Sequence, residues 1–141
     1  MPRREIFINN SQKFIRVGGD LVKKLVRKTL KGRTGSNSLK VSIVITDDKN
    51  IRKINKEFLG HDYATDVISF SLKNKFPKSI DCEVVVSAQT AAREAKDRGL
   101  DPCEELHRYI VHGVLHYLGY QDKDPASKKK MFTAQEKILD L

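Results

Sequence analysis

Apolar residues recur along this chain in two periods, and the switches between them mark its elements. Ile6 and Ile8 alternate with Phe7, so Glu5–Asn9 reads as a short strand. Asn10 or Ser11 then offers a cap, and Phe14, Val17, Leu21, Leu25 and Leu30 follow at roughly helical spacing, with Gly18-Gly19 interrupting or delaying the helix. Gly32–Ser38 is turn chemistry. Leu39, Val41, Ile43 and Ile45 alternate through Leu39–Thr46, a strand with one apolar face. Asp47 or Asp48 caps the next helix, whose inward positions are Ile51, Ile54, Asn55 and Phe58. Beyond a loop over Gly60–Ala64, the β-branched and aromatic run Thr65–Leu72 predicts a strand. Lys73–Asp81, with Pro77, is a turn region, and the three valines of Glu83–Ser87 suit a strand buried on both faces. Ala88–Arg98 is an alanine-rich helix closed by Gly99. Asp101-Pro102 caps and opens another, which runs to about Leu118 with Glu104 and Glu105 in its first turn. A last helix covers about Pro125–Leu141.

The order is β-α-β-α-β-β-α-α-α. Early crossovers followed by a hairpin predict an α+β fold, a single layered domain over 1–141 with a small mixed sheet of about four strands and about five helices.

The helix over 102–118 carries the candidate chemistry. Read from His112, the chain runs H-x-x-x-H-x-x-G-x-x-D: His112, His116, Gly119, Asp122. Residues i and i+4 share a helix face, with Cβ atoms about 5–6 Å apart, so two imidazoles there can hold one cation. Gly119 allows the chain to leave the helix through a left-handed residue and fold back, which aims Asp122 at the same point; Asp124 is the alternative third ligand. Three protein ligands with one open position is the arrangement of a catalytic zinc site. The spacing matches the H-E-x-x-H of zincin-type peptidases, but the position of their general base is Gly113, which moves no proton. Gly113 also costs a helix interior about 1 kcal/mol relative to alanine, which implies that the backbone there passes close to another element or to a substrate. His107 lies about 140° around the axis from His112, at a position expected on the surface.

Charge adds a second theme. The net charge is +9, and residues 1–40 hold 11 Lys or Arg against Glu5 and Asp20, leaving 16 of each sign beyond them. The excess therefore sits on the first helix and its flanks, where Lys23, Lys24, Arg27 and Lys28 make the footprint of a polyanion binder. Cys82 and Cys103 form no C-x-x-C pair and read as free thiols. No run of 18 apolar residues suggests a spanning helix, and the N-terminal stretch lacks the apolar core of a signal peptide, so the cytoplasm is the expected compartment.

Three segments, in order, carry a resemblance. His-Gly-Val-Leu-His-Tyr-Leu-Gly-Tyr at 112–120 is similar to the signature of the YbeY family. Asn55 followed by Thr65-Asp66-Val67-Ile68-Ser69-Phe70 resembles that family's asparagine and T-D-V-L-S-F strand, and Asp81–Ser87 with Ala91, Glu94 and Ala95 resembles its strand–helix segment. The resemblance implies a zinc-dependent, single-strand-specific endoribonuclease of rRNA maturation (the 16S rRNA 3′ end) and ribosome quality control. Its partners would be single-stranded RNA, the small ribosomal subunit and ribosome-assembly proteins. One Zn²⁺ per chain would lie on His112, His116 and Asp122. Two positions depart from the family. Asp122 stands where a third histidine is usual, which lowers the charge of a zinc site from +2 to +1 and makes harder divalent metals more competitive. Leu59 stands where an arginine is usual, so the catalytic residue is unknown; Arg52, Lys53, Lys56 or His61 could supply the charge. Tyr63, Tyr117 and Tyr120 are candidates for stacking unpaired bases. A non-catalytic ribosome-binding factor with a structural metal is the alternative, and a metalloprotease a remote one.

Overall fold

Alternation along four strands builds the frame on which everything else is hung. The computed structural model describes residues 3–36, 38–72 and 80–140. Its elements are β1 (Arg3–Asn10), α1 (Gly19–Leu30), β2 (Ser38–Thr46), α2 (Asp48–Leu59), β3 (Val67–Ser71), β4 (Cys82–Ser87), α3 (Ala88–Arg98), α4 (Pro102–Tyr117) and α5 (Pro125–Leu139). The sheet order is β1-β2-β4-β3. β1 is parallel to β2 and β2 to β4, whereas β3 runs antiparallel to β4. This is the mixed α+β arrangement that the element order predicts, and β3 is an edge strand.

The two faces of the sheet are covered unequally. Leu39, Val41, Ile43 and Ile45 of β2 and Val84 and Val86 of β4 point to one side, where α1, α3 and α4 pack against them through residues such as Val26, Ala91 and Ile110. On the other side Val85 and Ile68 meet Ile51 of α2. α5 lies outside α4 and α1, with Met131 and Ile138 against Val111, Leu115 and Leu25. The caps follow the sequence: Asp47 accepts from the Asn50 amide and Asp101 from the Cys103 amide. Asp48 instead binds the hydroxyls of Ser87 and Thr90 and the guanidinium of Arg93, tying α2 to α3. Among the described residues no helix is long and apolar enough to cross a membrane.

Three expectations need correction. The first helix begins at Gly19, the delay that Gly18-Gly19 allows, so neither Asn10 nor Ser11 caps it and Phe14 and Val17 lie outside it. The Gln12 side chain accepts from the Phe14 and Ile15 amides and donates to the Ile15 carbonyl, giving the backbone an alternative to helix. The buried stripe is accordingly Val22, Leu25, Val26, Thr29 and Leu30, while Phe14 and Leu21 are exposed. Phe58 does not point inward; it is 67% exposed, with its ring 5.7 Å from that of Phe70 on the edge strand. His107 is buried, at the floor of a cleft that α1 and α5 flank, and its Nε2 lies 3.6 Å from Cys103 Sγ. The turn region over 73–79 lies outside the described residues. Both cysteines are free, and burial pushes the Cys82 thiol up to about 12.

Gly113 sets how closely α4 approaches the sheet. A Cβ built there would collide with Val84 Cγ1 and come within 3.0 Å of Val67 Cγ2. Its carbonyl accepts a 2.8 Å hydrogen bond from Ser69 Oγ on β3. The close approach anticipated from the sequence is therefore to the sheet.

Two measurements follow from this packing. Gly113→Ala gains about 1 kcal/mol of helix propensity but overpacks rigid β-branched neighbours, so we expect a net loss of roughly 1–3 kcal/mol in urea unfolding. In a Val84→Ala background the same substitution should cost markedly less; equal costs would show that the contact does not set the helix position. The second measurement concerns acid. Burial lowers the His107 pKa from its ordinary 6.5, only partly offset by Asp101 and Glu104. The unfolded chain then binds a proton that the folded chain resists, so stability falls as pH drops through about 6.5 and levels off below the folded pKa. His112 is shifted the same way, so His107→Gln should reduce the slope without abolishing it.

Candidate metal centre

The exit from α4 folds the chain back on itself. Leu118 ends the helix, and Gly119 takes φ +103°, where a side chain would be strained. The Gly119 amide donates to the His116 carbonyl (3.0 Å) and the Tyr120 amide to the Leu115 carbonyl (3.1 Å). Tyr120 packs its ring beside the α4–α5 core and accepts at its hydroxyl from Arg33 Nε (3.3 Å). The chain between this anchor and the α5 cap carries Asp122 back over the histidine face. Asp122 Oδ2 lies 3.7 Å from His112 Nε2 and 3.4 Å from His116 Nε2. One donor atom from each of the three residues lies within 4.8 Å of the others, so the group could hold a metal ion. Tetrahedral zinc with bonds of about 2.0–2.1 Å has ligand–ligand edges of about 3.3–3.4 Å, so the carboxylate distances need contract by only a few tenths of an ångström.

Asp124, the alternative third ligand, is engaged elsewhere. It caps α5, accepting from the Ser127 amide at 2.8 Å and the Ser127 hydroxyl at 3.0 Å, and these bonds hold its carboxyl below the usual range.

A chain of polar contacts fixes the ring of His112. Arg108 on α4 grips Glu136 on α5 through Nε and Nη2 at 3.1–3.3 Å. Glu136 accepts from the Gln135 side-chain amide (3.3 Å), which leaves the Gln135 oxygen facing His112 Nδ1 at 3.1 Å. His112 therefore donates from Nδ1 and presents the Nε2 lone pair to Asp122, the orientation that a ligating imidazole needs. Burial, and then the neighbouring His116, lower the His112 pKa and favour this neutral form. Gln135 carries no motif. Its signal in the sequence is position: it is four residues after Met131 and three before Ile138, polar on the apolar face of α5.

Two clefts flank the triad. One, of about 470 Å³, adjoins His116 and is lined by Asn55, Leu59, His61, Tyr63, Ser69 and Tyr117 among others. Asn55, buried in α2, donates to the Tyr63 carbonyl at 3.0 Å and so shapes the loop that presents His61 and Tyr63. Those rings stack with centroids 5.4 Å apart, and Tyr63 is 56% exposed. Tyr117 is partly buried against the main core. Of the four residues that could replace the arginine, only His61 lines this cleft; Arg52 and Lys56 pair with Asp62 at 2.9 and 3.9 Å, and Lys53 is exposed. The other cleft, about 530 Å³, adjoins His112 and Asp122 and is lined by Lys128, Lys129, Phe132 and Gln135 among others. Lys23, Lys24 and Arg27 of α1 line neither cleft, and Lys28 donates to the Ile138 carbonyl at 2.7 Å, capping the end of α5.

Comparison with known proteins gives a consistent picture. The family model described as endoribonuclease YbeY matches residues 7–141. An endoribonuclease YbeY of Salinibacter ruber is 38% identical over 113 residues, covering 75% of this chain and 72% of the relative. One from a Sulfurihydrogenibium species is 34% identical over 141 residues, covering 98% and 92%. The solution structure of a Thermotoga maritima protein superposes with a TM-score of 0.66 at 26% identity, covering 96% of this chain and 87% of that one.

The contact from Gln135 can be tested by metal competition against a chromophoric chelator. Gln135→Leu should weaken metal binding by about 10–100-fold, because it removes the acceptor that holds His112. Unchanged affinity would show that the imidazole is oriented without it.

Proposed function

The chain belongs to the endoribonuclease YbeY family, and on that premise we propose that it is a metal-dependent endoribonuclease that hydrolyses single-stranded RNA. The observation that carries the proposal is the convergence of His112, His116 and Asp122 donors within 4.8 Å, beside a cleft with an exposed aromatic ring. The substrate is rRNA, with the 3′ end of 16S rRNA as the site of maturation. Its partners in the cytoplasm are the small ribosomal subunit and ribosome-assembly proteins, where the same activity serves ribosome quality control.

Zn²⁺ held by the three residues would supply Lewis acidity toward a phosphoryl oxygen. The chain's own groups do the rest. Gln135 keeps the His112 lone pair aimed inward. Asp122 contributes a negative charge, so the site binds a divalent ion with a residual +1 that attracts phosphate without holding the product tightly. Tyr63, backed by His61, offers a face on which an unpaired base can stack, a contact that a base inside a duplex cannot make. Asn55 is a positioning residue that acts through the loop carrying Tyr63. Gly113 leaves no carboxylate where a peptidase would need its base.

Leu59 favours a second reading, a binding factor whose metal is structural, because the first cleft has no Lys or Arg among its described lining residues. One experiment separates the two. Wild type and His116→Ala are compared for metal content and for cleavage of unstructured and duplex RNA. The nuclease reading expects both metal content and cleavage to fall in the variant, cleavage by more than about 100-fold, since loss of a ligand should exceed loss of a supporting contact. It also expects duplex to be spared. Equal cleavage by the two proteins would sink the metal mechanism, and binding without turnover in clean wild type would leave the binding factor.

A further inference from the structure

The second cleft carries chemistry that the triad and the stacking loop leave unused. Pro125, Lys128, Lys129 and Phe132 line it and stand at i, i+3, i+4 and i+7, so they form one stripe of α5 facing the metal donors. Lys128 and Lys129 are exposed, and among the described residues neither ammonium group has a partner. The nearest acids in sequence on α5 are committed, Asp124 to Ser127 and Glu136 to Arg108. At the end of the stripe Phe132 is 59% exposed, a large apolar ring held open beside two cations and the His112–Asp122 wall.

The two clefts are thus complementary. On the His116 side the described lining has no Lys or Arg, and the nearby Arg52 and Lys56 are paired with Asp62. On the His112–Asp122 side there are two unpaired lysines and an aromatic platform. A strand that reaches the triad over Tyr63 meets its cations only after passing the metal donors.

We infer that the α5 cleft is a nucleotide subsite for the RNA strand on the far side of the reacting phosphate, with a phosphate between Lys128 and Lys129 and a base on Phe132. This rests on the nuclease reading for its orientation relative to the reacting bond, but the contacts themselves require only that RNA binds. It also explains how the chain compensates for Leu59: the positive charge is displaced to the opposite flank of the triad.

The test is fluorescence anisotropy of the full chain, loaded with Zn²⁺, on a slow-cleaving single-stranded 2′-O-methyl oligonucleotide across a salt series. Lys128→Glu/Lys129→Glu should weaken binding at least about ten-fold. It should also flatten the salt dependence by about 0.7 in log–log slope, the contribution of one single-strand phosphate contact. Phe132→Ala should weaken binding roughly ten-fold or more, as expected for a lost stacking platform, with the slope unchanged. Metal content and melting temperature, read on the same samples, should match wild type, which separates these effects from unfolding. Lys23→Glu/Lys24→Glu on α1 is the comparator. If it abolishes binding while the α5 variants bind as wild type does, RNA is held by α1 and the subsite does not exist. If the α5 variants lose affinity but clean wild type shows no turnover, the subsite stands and the nuclease reading falls. Absence of RNA binding by wild type overturns both.

Discussion

The backbone of α4 meets the sheet at Gly113, where the missing side chain leaves room for Val84 and Val67. His112 and His116 sit one residue before and three after that contact, so their height above the sheet is set by it. Ser69 adds a direct tether by donating to the Gly113 carbonyl. A helix held by apolar packing alone can slide or rotate by fractions of an ångström among similar packings. One pinned at a bare Cα and at a hydrogen bond to an edge strand has far less freedom, and metal donors need positions good to about half an ångström.

α5 completes what the sheet begins. Its inner face seals α4 through Met131 and Ile138, and the same face delivers Gln135 to His112, with Glu136 gripping Arg108 on α4. The segment between the helices is fixed at both ends, by Tyr120 in the core and by Asp124 at the α5 cap. Asp122 has few places to go between those two anchors. The site is therefore assembled from three supports that are independent of the ion: the sheet under Gly113, the amide at His112 and the pinned link under Asp122.

The fold and the triad were legible in the sequence for a common reason, which is that both are periodic. Strand alternation in Leu39–Thr46 and helical spacing of His112 and His116 survive in any context that buries one face. The nine elements occur in the expected order, and the caps at Asp47, Asp101 and Asp124 were readable because a cap is a local bargain between a side chain and the next few amides. What the sequence hid is what depends on neighbours distant along the chain. The helical angle of His107 says nothing about the α1 and α5 residues that flank it, and it is buried. Spacing alone places Phe14 in a helix because Gln12, whose side chain replaces the helical hydrogen bonds there, looks like any polar residue. Gln135 stayed invisible because one polar residue on an apolar face has many explanations until its partner is known. The lysines of α5 do not show in a charge sum that is zero over 41–141, because a sum says nothing of position, and Asp48, Asp62 and Glu136 are paired with arginines away from them.

The triad lies on a divide, with one cleft descending from His116 and another from His112 and Asp122. An enzyme that trims a polymer from its tip needs a wall that stops the chain one unit past the bond to be broken, so that the tip itself is measured. Among the described residues a cleft lies open on each side. A strand laid over the divide has polymer to its left and right, and neither terminus takes part in choosing where it breaks. Selection then rests on the few nucleotides on the ridge and on the larger body that presents them, not on a count inward from an end.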